Sequence, residues 1–142
     1  MSAKLWPVFV KLRRRPVLVV GAGAVAAGKV RALVRAQAEV RIVAPEIRSP
    51  QIAAQVAAGV VSARTGSFVP ADLDWVWLVV SAGPAETNRQ VVAAAEERRV
   101  FVIAVDEAEV ATAYGAAVFR RGGLTFAISS AVIHLLTSAL GI

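Results

Sequence analysis

The pattern with the most definite chemistry is Gly21-Ala22-Gly23-Ala24-Val25-Ala26, which fits G-x-G-x-x-G/A with Ala26 in the third glycine position. The first glycine of this pattern permits a tight turn, the second lets the backbone approach a pyrophosphate, and the third small residue lets a helix pack closely on the strand. The N–H groups at the start of that helix attract the phosphates. The segment predicts a dinucleotide-binding loop; the alternative is a glycine turn with a structural role only.

The segments on either side of this loop give it the expected context. Residues 16–20 are a short run rich in valine, which is typical of a strand buried on both faces of a parallel sheet. After the loop, apolar residues recur at helical spacing from Ala26 to Val34, and the opposite face is basic, with Lys29, Arg31 and Arg35. A buried strand before the loop and an amphipathic helix after it favour dinucleotide binding over a structural turn.

The adenosine ribose needs a further contact near the end of the second strand, which is predicted at residues 40–43. Ala44, Pro45 and Glu46 follow that strand, and we expect all three to lie against the cofactor, with the Glu46 carboxylate on the ribose. Because Glu46 lies on the loop after the strand, an equally open alternative is that its side chain is solvated and does not contact the ribose. Basic residues flank it, so NADP stays open beside NAD: Arg41 and Arg48.

The rest of the first 112 residues alternates between helix and strand. A helix at 50–58 has Ser49 as its N-cap, a proline in its first position and Gly59 as its stop signal. The patterns then predict a weak strand at 60–64, a strong one at 75–80, a helix at 85–98 and a fifth strand at 100–105. Ser81 and Ala82 follow the fourth strand and are further predicted cofactor contacts. This rhythm predicts right-handed βαβ units, hence an α/β fold of Rossmann type with a doubly wound parallel sheet.

The pattern changes after about residue 112. Residues 116–120 and 124–128 flank Arg121-Gly122-Gly123 and predict a β-hairpin, and the uncharged residues 131–142 predict an apolar helix. We therefore divide the chain into a dinucleotide-binding domain, 1–112, and a hairpin and tail, 113–142. So apolar a segment needs a covering surface, and we expect a two-fold symmetric homodimer built from it.

Composition limits the class of partner. The 142 residues carry a formal net charge of +6, from 16 Lys and Arg against 10 Asp and Glu. The basic residues occur in short groups without interleaved aromatic residues, so we expect an anionic small molecule and no nucleic acid; a solvated basic surface is the alternative. No apolar run approaches the roughly 18 to 20 residues of a membrane span, and the start has no signal-peptide pattern, which predicts a cytoplasmic protein without membrane contact. The single histidine, His134, cannot by itself build a metal site, and no metal is expected.

The sequence resembles the N-terminal dehydrogenase domain of siroheme synthase and the stand-alone precorrin-2 dehydrogenases, some of which are also sirohydrochlorin ferrochelatases. The matching segments are collinear from residue 5 to about residue 130 and begin with Leu5-Trp6-Pro7-Val8-Phe9; the opening run of residues 5–12, just before the first strand, is the most specific part. The others are 17–26 with Lys29, 43–46, Asn88-Arg89, 105–107 and 124–130.

This resemblance implies NAD-dependent oxidation of precorrin-2, an anionic tetrapyrrole with eight carboxylate arms, to sirohydrochlorin, in a dimeric protein. It also implies a catalytic role for Asp106, which follows the fifth strand at the edge of the sheet where ligands bind. A carboxylate there can take the proton lost as the hydride leaves. The alternative is that Asp106 caps the turn of residues 106–109. Ser129 and Ser130 match the substrate-binding loop of the family.

Three departures from the family pattern bear on the activity. Ile103 stands where an asparagine is usual, Tyr114-Gly115-Ala116 replaces an aromatic-proline element, and the glycine-rich loop is reduced to Ser129-Ser130. The helical portion that closes over the tetrapyrrole in relatives is also largely missing from this sequence. The alternative function is therefore a non-catalytic NAD(P)-binding module with a sensing or scaffold role, and ferrochelatase activity stays open.

Overall fold

The structure is a computed structural model that describes residues 4–105 and 109–129. In these ranges, five parallel strands form one sheet in the order β3-β2-β1-β4-β5. The strands are β1 Pro16–Val20, β2 Glu39–Ala44, β3 Ser62–Thr65, β4 Leu78–Ser81 and β5 Phe101–Ala104. The helices between them are α1 Ala24–Arg35, α2 Pro50–Ala57 and α3 Ala85–Arg98, with a short 3-10 helix at Pro70–Leu73. The predicted Rossmann-type α/β fold is confirmed.

The central strand explains how the two layers of helices are held. Val17 and Val19 of β1 face α1 and α2, while Leu18 and Val20 face α3 and the 3-10 helix, and all four side chains are buried. Side chains alternate across a strand, so a strand with apolar residues at every position must be covered on both faces. This is why the valine-rich run at residues 16–20 becomes the middle of the sheet.

The ends of α2 match the sequence signals in detail. Ser49 Oγ accepts a hydrogen bond from the N–H of Ile52 at 3.2 Å, as an N-cap should. Pro50 occupies the first helical position, and Gly59 has a positive φ of 74° just after the helix. The helix α3 also has the predicted bounds, whereas β3 and β5 are each shorter than predicted.

The predicted strand at 75–80 is wrong in its first half. Trp75 has a φ of 68°, which an extended strand does not allow, and β4 begins only at Leu78. The 3-10 helix ends just before Trp75, and the N–H of Val76 returns to the carbonyl of Leu73 at 3.3 Å. Trp75 and Trp77 are 89% and 58% exposed, so neither belongs to the core of this chain, and the Arg15 guanidinium lies 4.2 Å from the centre of a Trp77 ring.

The segment after β5 covers the edge of the sheet. The N–H of Val102 donates to Thr112 Oγ1 at 2.8 Å, and the carbonyl of Val102 accepts from the N–H groups of Thr112 and Ala113 at 2.9 Å each. These bonds occupy groups that an exposed edge strand would leave open for another chain. The chain then enters the predicted hairpin, which is β6 Ala117–Arg121 paired antiparallel with β7 Leu124–Ile128 in a sheet of its own. The division of the chain at residue 112 stays a prediction.

Among the helices of residues 4–105 and 109–129, none combines the length and the hydropathy that a membrane crossing requires.

Candidate functional site

The glycine loop turns between β1 and α1 at the carboxyl edge of the sheet. Gly21 has a φ of 117°, a conformation that residues with a side chain rarely adopt. A Cβ on Gly21 would also lie 2.8 Å from the carbonyl oxygen of Ala82, in the loop after β4. Gly21 is therefore required twice, for its backbone conformation and for the close approach of the next loop.

Gly23 has a different role, because the space around it is open. A Cβ on Gly23 would meet no heavy atom within 4 Å, and its φ of −95° suits any residue. Gly23 is the N-cap of α1, and its carbonyl accepts the first intrahelical bond, from Ala27, at 3.0 Å. The N–H groups of the first helical turn, at Ala24 and Val25, have no carbonyl one turn earlier to bind. Both residues are exposed, so these donors face an open cradle.

This cradle fits the pyrophosphate of a dinucleotide. The first turn of α1 contains no acidic residue, so nothing there opposes an anion. The missing Cβ at Gly23 leaves room for a ligand to contact the backbone directly. Ala26, in the third glycine position, is 1% exposed, since it packs α1 against the sheet. The structure thus assigns separate tasks to the three small residues of the pattern.

Backbone hydrogen bonds connect the loops of the predicted site. The N–H of Gly21 donates to the carbonyl of Val43 at 2.8 Å, and the N–H of Ala82 donates to the carbonyl of Val20 at 2.8 Å. The N–H of Val105 donates to the carbonyl of Ser81 at 2.9 Å. The ends of β1, β2, β4 and β5 therefore meet along one edge, which brings together the predicted cofactor contacts of three loops. That edge is the ordinary ligand site of open α/β sheets.

At the predicted ribose end of the site, the loop after β2 is held to the glycine loop by hydrogen bonds. The carbonyl of Ala22 accepts from the N–H groups of Arg48 and Ser49, at 3.1 Å and 2.9 Å. Ala44 is buried, whereas Pro45 and Glu46 are exposed. Glu46 Oε2 lies 3.4 Å from Arg48 Nε, and both side chains are at least 70% exposed. So exposed an ion pair is weak and easily separated, which leaves the Glu46 carboxylate available to a ligand.

A buried polar pair that the sequence patterns did not predict lies next to this edge. Ser81 Oγ donates to Asn88 Oδ1 at 2.5 Å, and the two residues are 0% and 3% exposed. The bond fixes the start of α3 against the end of β4 and so fixes the loop that carries Ala82. A signal existed, since Asn88 stands in line with the buried Val91 and Ala95 on the apolar stripe of α3, where asparagine is unexpected.

The remaining predicted residues are placed as follows. Ser129 is exposed and follows β7, outside the parallel sheet. Asp106, Ser130 and His134 lie outside the described residues. A shallow depression between β2, β3 and the 3-10 helix contains none of the predicted cofactor, substrate or catalytic contacts, and its Arg64 is already paired with Asp72. In the described ranges, no three histidine or carboxylate side chains form a group suited to a metal ion.

The parallel sheet and the open glycine cradle together define a dinucleotide-binding domain of the Rossmann class. Residues 8–117 match the family described as "Putative NAD(P)-binding", and the chain belongs to that family.

Among its curated relatives, the chain is similar to siroheme synthases, whose chains are longer. It is 45% identical over 125 residues to siroheme synthase 1 of Pectobacterium atrosepticum, which covers 87% of this chain and 26% of that protein. It is 39% identical over 128 residues to the siroheme synthase of Chromobacterium violaceum, covering 89% and 27%. The chain thus spans about a quarter of the length of these relatives. The resemblance to siroheme synthases that the sequence motifs predict is confirmed.

A solved structure extends the likeness to the hairpin. The structure titled "SirC, precorrin-2 dehydrogenase" superposes with a TM-score of 0.77 at 25% identity and covers 96% of this chain and 68% of that one. D-lactate dehydrogenase from Escherichia coli superposes with a TM-score of 0.50 at 15% identity and covers 67% of this chain, which is a likeness of fold alone.

Proposed function

We propose that this chain is an NAD-dependent precorrin-2 dehydrogenase of siroheme biosynthesis, which oxidises precorrin-2 to sirohydrochlorin. The observation that carries the proposal is the open cradle at Gly23 in a chain that superposes on a precorrin-2 dehydrogenase over 96% of its length. The first property supports the cofactor, and the second supports the substrate, because the likeness includes more than a nucleotide-binding core. The basic excess of the chain suits a substrate with many carboxylates.

The residues would divide the reaction as follows. The N–H groups of Ala24 and Val25 bind the pyrophosphate, and Glu46 accepts hydrogen bonds from the adenosine ribose. Bound NAD supplies the acceptor for the hydride that leaves a carbon of precorrin-2. Asp106 takes the proton that is lost with it, so that two electrons and two hydrogens leave the substrate together. The pair Ser81–Asn88 positions the loop on which Ala82 contacts the cofactor.

Glu46 supports NAD over NADP as the cofactor. Its carboxylate is exposed on the loop after β2, where the 2′-hydroxyl of NAD would be a donor and the 2′-phosphate of NADP a repelled anion. Arg48 opposes this preference, since its guanidinium lies beside the same carboxylate. We therefore expect NAD to bind more tightly than NADP, by a margin that Arg48 reduces.

The experiment that tests the proposal measures cofactor binding and turnover separately. NAD at about a hundredfold excess over its Kd should stabilise the fold by about 2.7 kcal/mol, a rise in Tm on the order of 10 °C for a chain of this size. Precorrin-2 with NAD should then give the absorbance of sirohydrochlorin together with one NADH per substrate oxidised. Absence of any thermal shift with NAD and NADP would remove the cofactor assignment. A shift without turnover would favour the non-catalytic NAD(P)-binding module.

We also propose that the protein is a homodimer whose two copies contact each other through this hairpin, and that it is located in the cytoplasm. The register pairs Phe119 with Phe126, whose ring centres are 6.0 Å apart. Alternation therefore places Leu124 and Ile128 on the same face as these rings, and the two phenylalanines and Leu124 are 42% to 64% exposed. An isolated two-stranded hairpin is only marginally stable in water, so a second copy of this face is a suitable cover.

The oligomeric state tests this part directly. Light scattering at micromolar concentration should give twice the mass of the chain, and the double variant Phe119→Glu/Phe126→Glu should give the mass of one chain. Val60→Glu is a matched control, because Val60 is 51% exposed on the parallel-sheet domain and its replacement should leave the dimer intact. An unmodified protein that is monomeric under these conditions rules out the homodimer.

A further inference from the structure

We infer that Lys29 of α1 is an anion-binding residue that receives a carboxylate of the substrate. The inference rests on the proposed function and adds a residue to its substrate site. It comes from a juxtaposition of α1 with the segment after β5, where the ammonium group of Lys29 lies beside the backbone of Gly115.

The contact is defined by what a side chain at Gly115 would meet. A Cβ built there would lie 2.9 Å from Lys29 Nζ and 4.0 Å from Ile103 Cγ2 of β5. The chain that leads to the hairpin thus passes close to the ammonium, at the flexible end of the Lys29 side chain. Lys29 is partly buried, whereas Arg31 and Arg35 on the same helix are exposed. Within the basic face predicted for α1, Lys29 is therefore less exposed than the two arginines.

The ammonium has no counter-ion within the described residues. The ion pairs of residues 4–105 and 109–129 involve five arginines and no lysine: Arg41, Arg48, Arg64, Arg89 and Arg98. No hydrogen bond of the Lys29 ammonium occurs there either. An anionic ligand can therefore pair with this ammonium without displacing a carboxylate of the described residues.

The direction of the side chain indicates which ligand reaches it. Side chains on a helix lean toward its N-terminus, and the N-terminus of α1 lies at the carboxyl edge of the sheet with Gly23. The pyrophosphate is satisfied by the first turn of α1, more than a turn before Lys29. Ile103 packs on this face of the sheet together with Val105, the residue before Asp106. The anion best placed to reach the Lys29 ammonium is therefore a carboxylate of a substrate held over β5.

The test measures equilibrium binding of sirohydrochlorin, the proposed product, by absorbance titration. Lys29→Met keeps the apolar stem and removes the charge, so it should weaken sirohydrochlorin binding roughly 10- to 100-fold, as expected for a charge-assisted hydrogen bond. Lys29→Arg should restore most of the affinity. Gly115→Ala, which forces the ammonium aside without changing it, should weaken binding in the same direction. In turnover, Lys29→Met should raise KM with little change in kcat.

Arg31→Met is the matched control, because it removes one exposed positive charge from the same helix and should leave sirohydrochlorin affinity within about twofold. The Tm of every variant reports that the fold is intact. Unchanged sirohydrochlorin affinity in Lys29→Met overturns the inference. So does a loss of NAD affinity with sirohydrochlorin affinity unchanged, which would assign the ammonium to the phosphates of the cofactor. If the unmodified protein binds neither NAD nor sirohydrochlorin, the proposed function falls and this inference with it.

Discussion

Gly23→Val is expected to abolish the NAD-induced rise in Tm while changing the free energy of unfolding without ligand by about 1 kcal/mol or less. The structure separates these two effects, since a side chain at Gly23 meets nothing in the protein and occupies only the open cradle. The backbone there is already extended, as valine prefers, and the small loss arises because valine is a poorer N-cap than glycine. The stabilisation of about 2.7 kcal/mol that saturating NAD gives should therefore disappear.

Gly21→Ala is the matched control for this prediction, and its pattern should be the reverse. The new methyl group would lie 2.8 Å from a backbone oxygen, at a φ of 117°. Strained backbone and overpacking each cost roughly 1–3 kcal/mol, so urea unfolding of the ligand-free protein should show a loss on the order of 3 kcal/mol. If Gly23→Val retained the thermal shift, the cradle would not be the pyrophosphate site. A large loss of ligand-free stability in Gly23→Val would contradict the open space around it.

The parts of this fold that sequence patterns predict are those set by local chemistry. The N-cap at Ser49 and the stop at Gly59 depend on residues within one helix, so both were found at the right positions. The valine run at 16–20 requires two covered faces wherever it lies, and it became the central strand. The glycine pattern likewise predicts a tight turn directly after the first strand, and the positive φ of Gly21 shows that the turn is there.

The features that sequence patterns did not predict depend on contacts between distant segments. Trp75 and Trp77 suit a strand by type, but a 3-10 helix forms before them and leaves both exposed. The approach of Gly115 to Lys29 joins residues far apart in sequence, and no local pattern marks it. The cover that Thr112 gives to the edge of β5 is of the same kind. The roles of the predicted contacts themselves stay predictions, since they concern a ligand.

Asp106→Asn is expected to lower kcat for precorrin-2 oxidation by about 10²- to 10⁴-fold, the usual effect of losing a general base. Asparagine keeps the shape of aspartate and can form hydrogen bonds, but it cannot take the proton that accompanies the hydride. In the sequence, Asp106 follows Val105, whose N–H is bound to the carbonyl of Ser81, one of the predicted cofactor contacts. Stopped-flow formation of NADH with saturating NAD measures the effect, and the NAD-induced rise in Tm should remain.

The competing role for Asp106, a cap for the turn of residues 106–109, gives a different result. Asparagine caps nearly as well as aspartate, so a cap predicts a stability loss of about 1 kcal/mol at most and undiminished turnover. Asp74→Asn is the matched control, because Asp74 lies in the turn before β4, at the opposite edge of the sheet, where its exposed carboxylate pairs with Arg98 at 3.5 Å. It should leave kcat unchanged. Equal turnover in Asp106→Asn and Asp74→Asn would assign the Asp106 carboxylate to the turn, and the proton acceptor would then have to be sought among the other groups at the carboxyl edge.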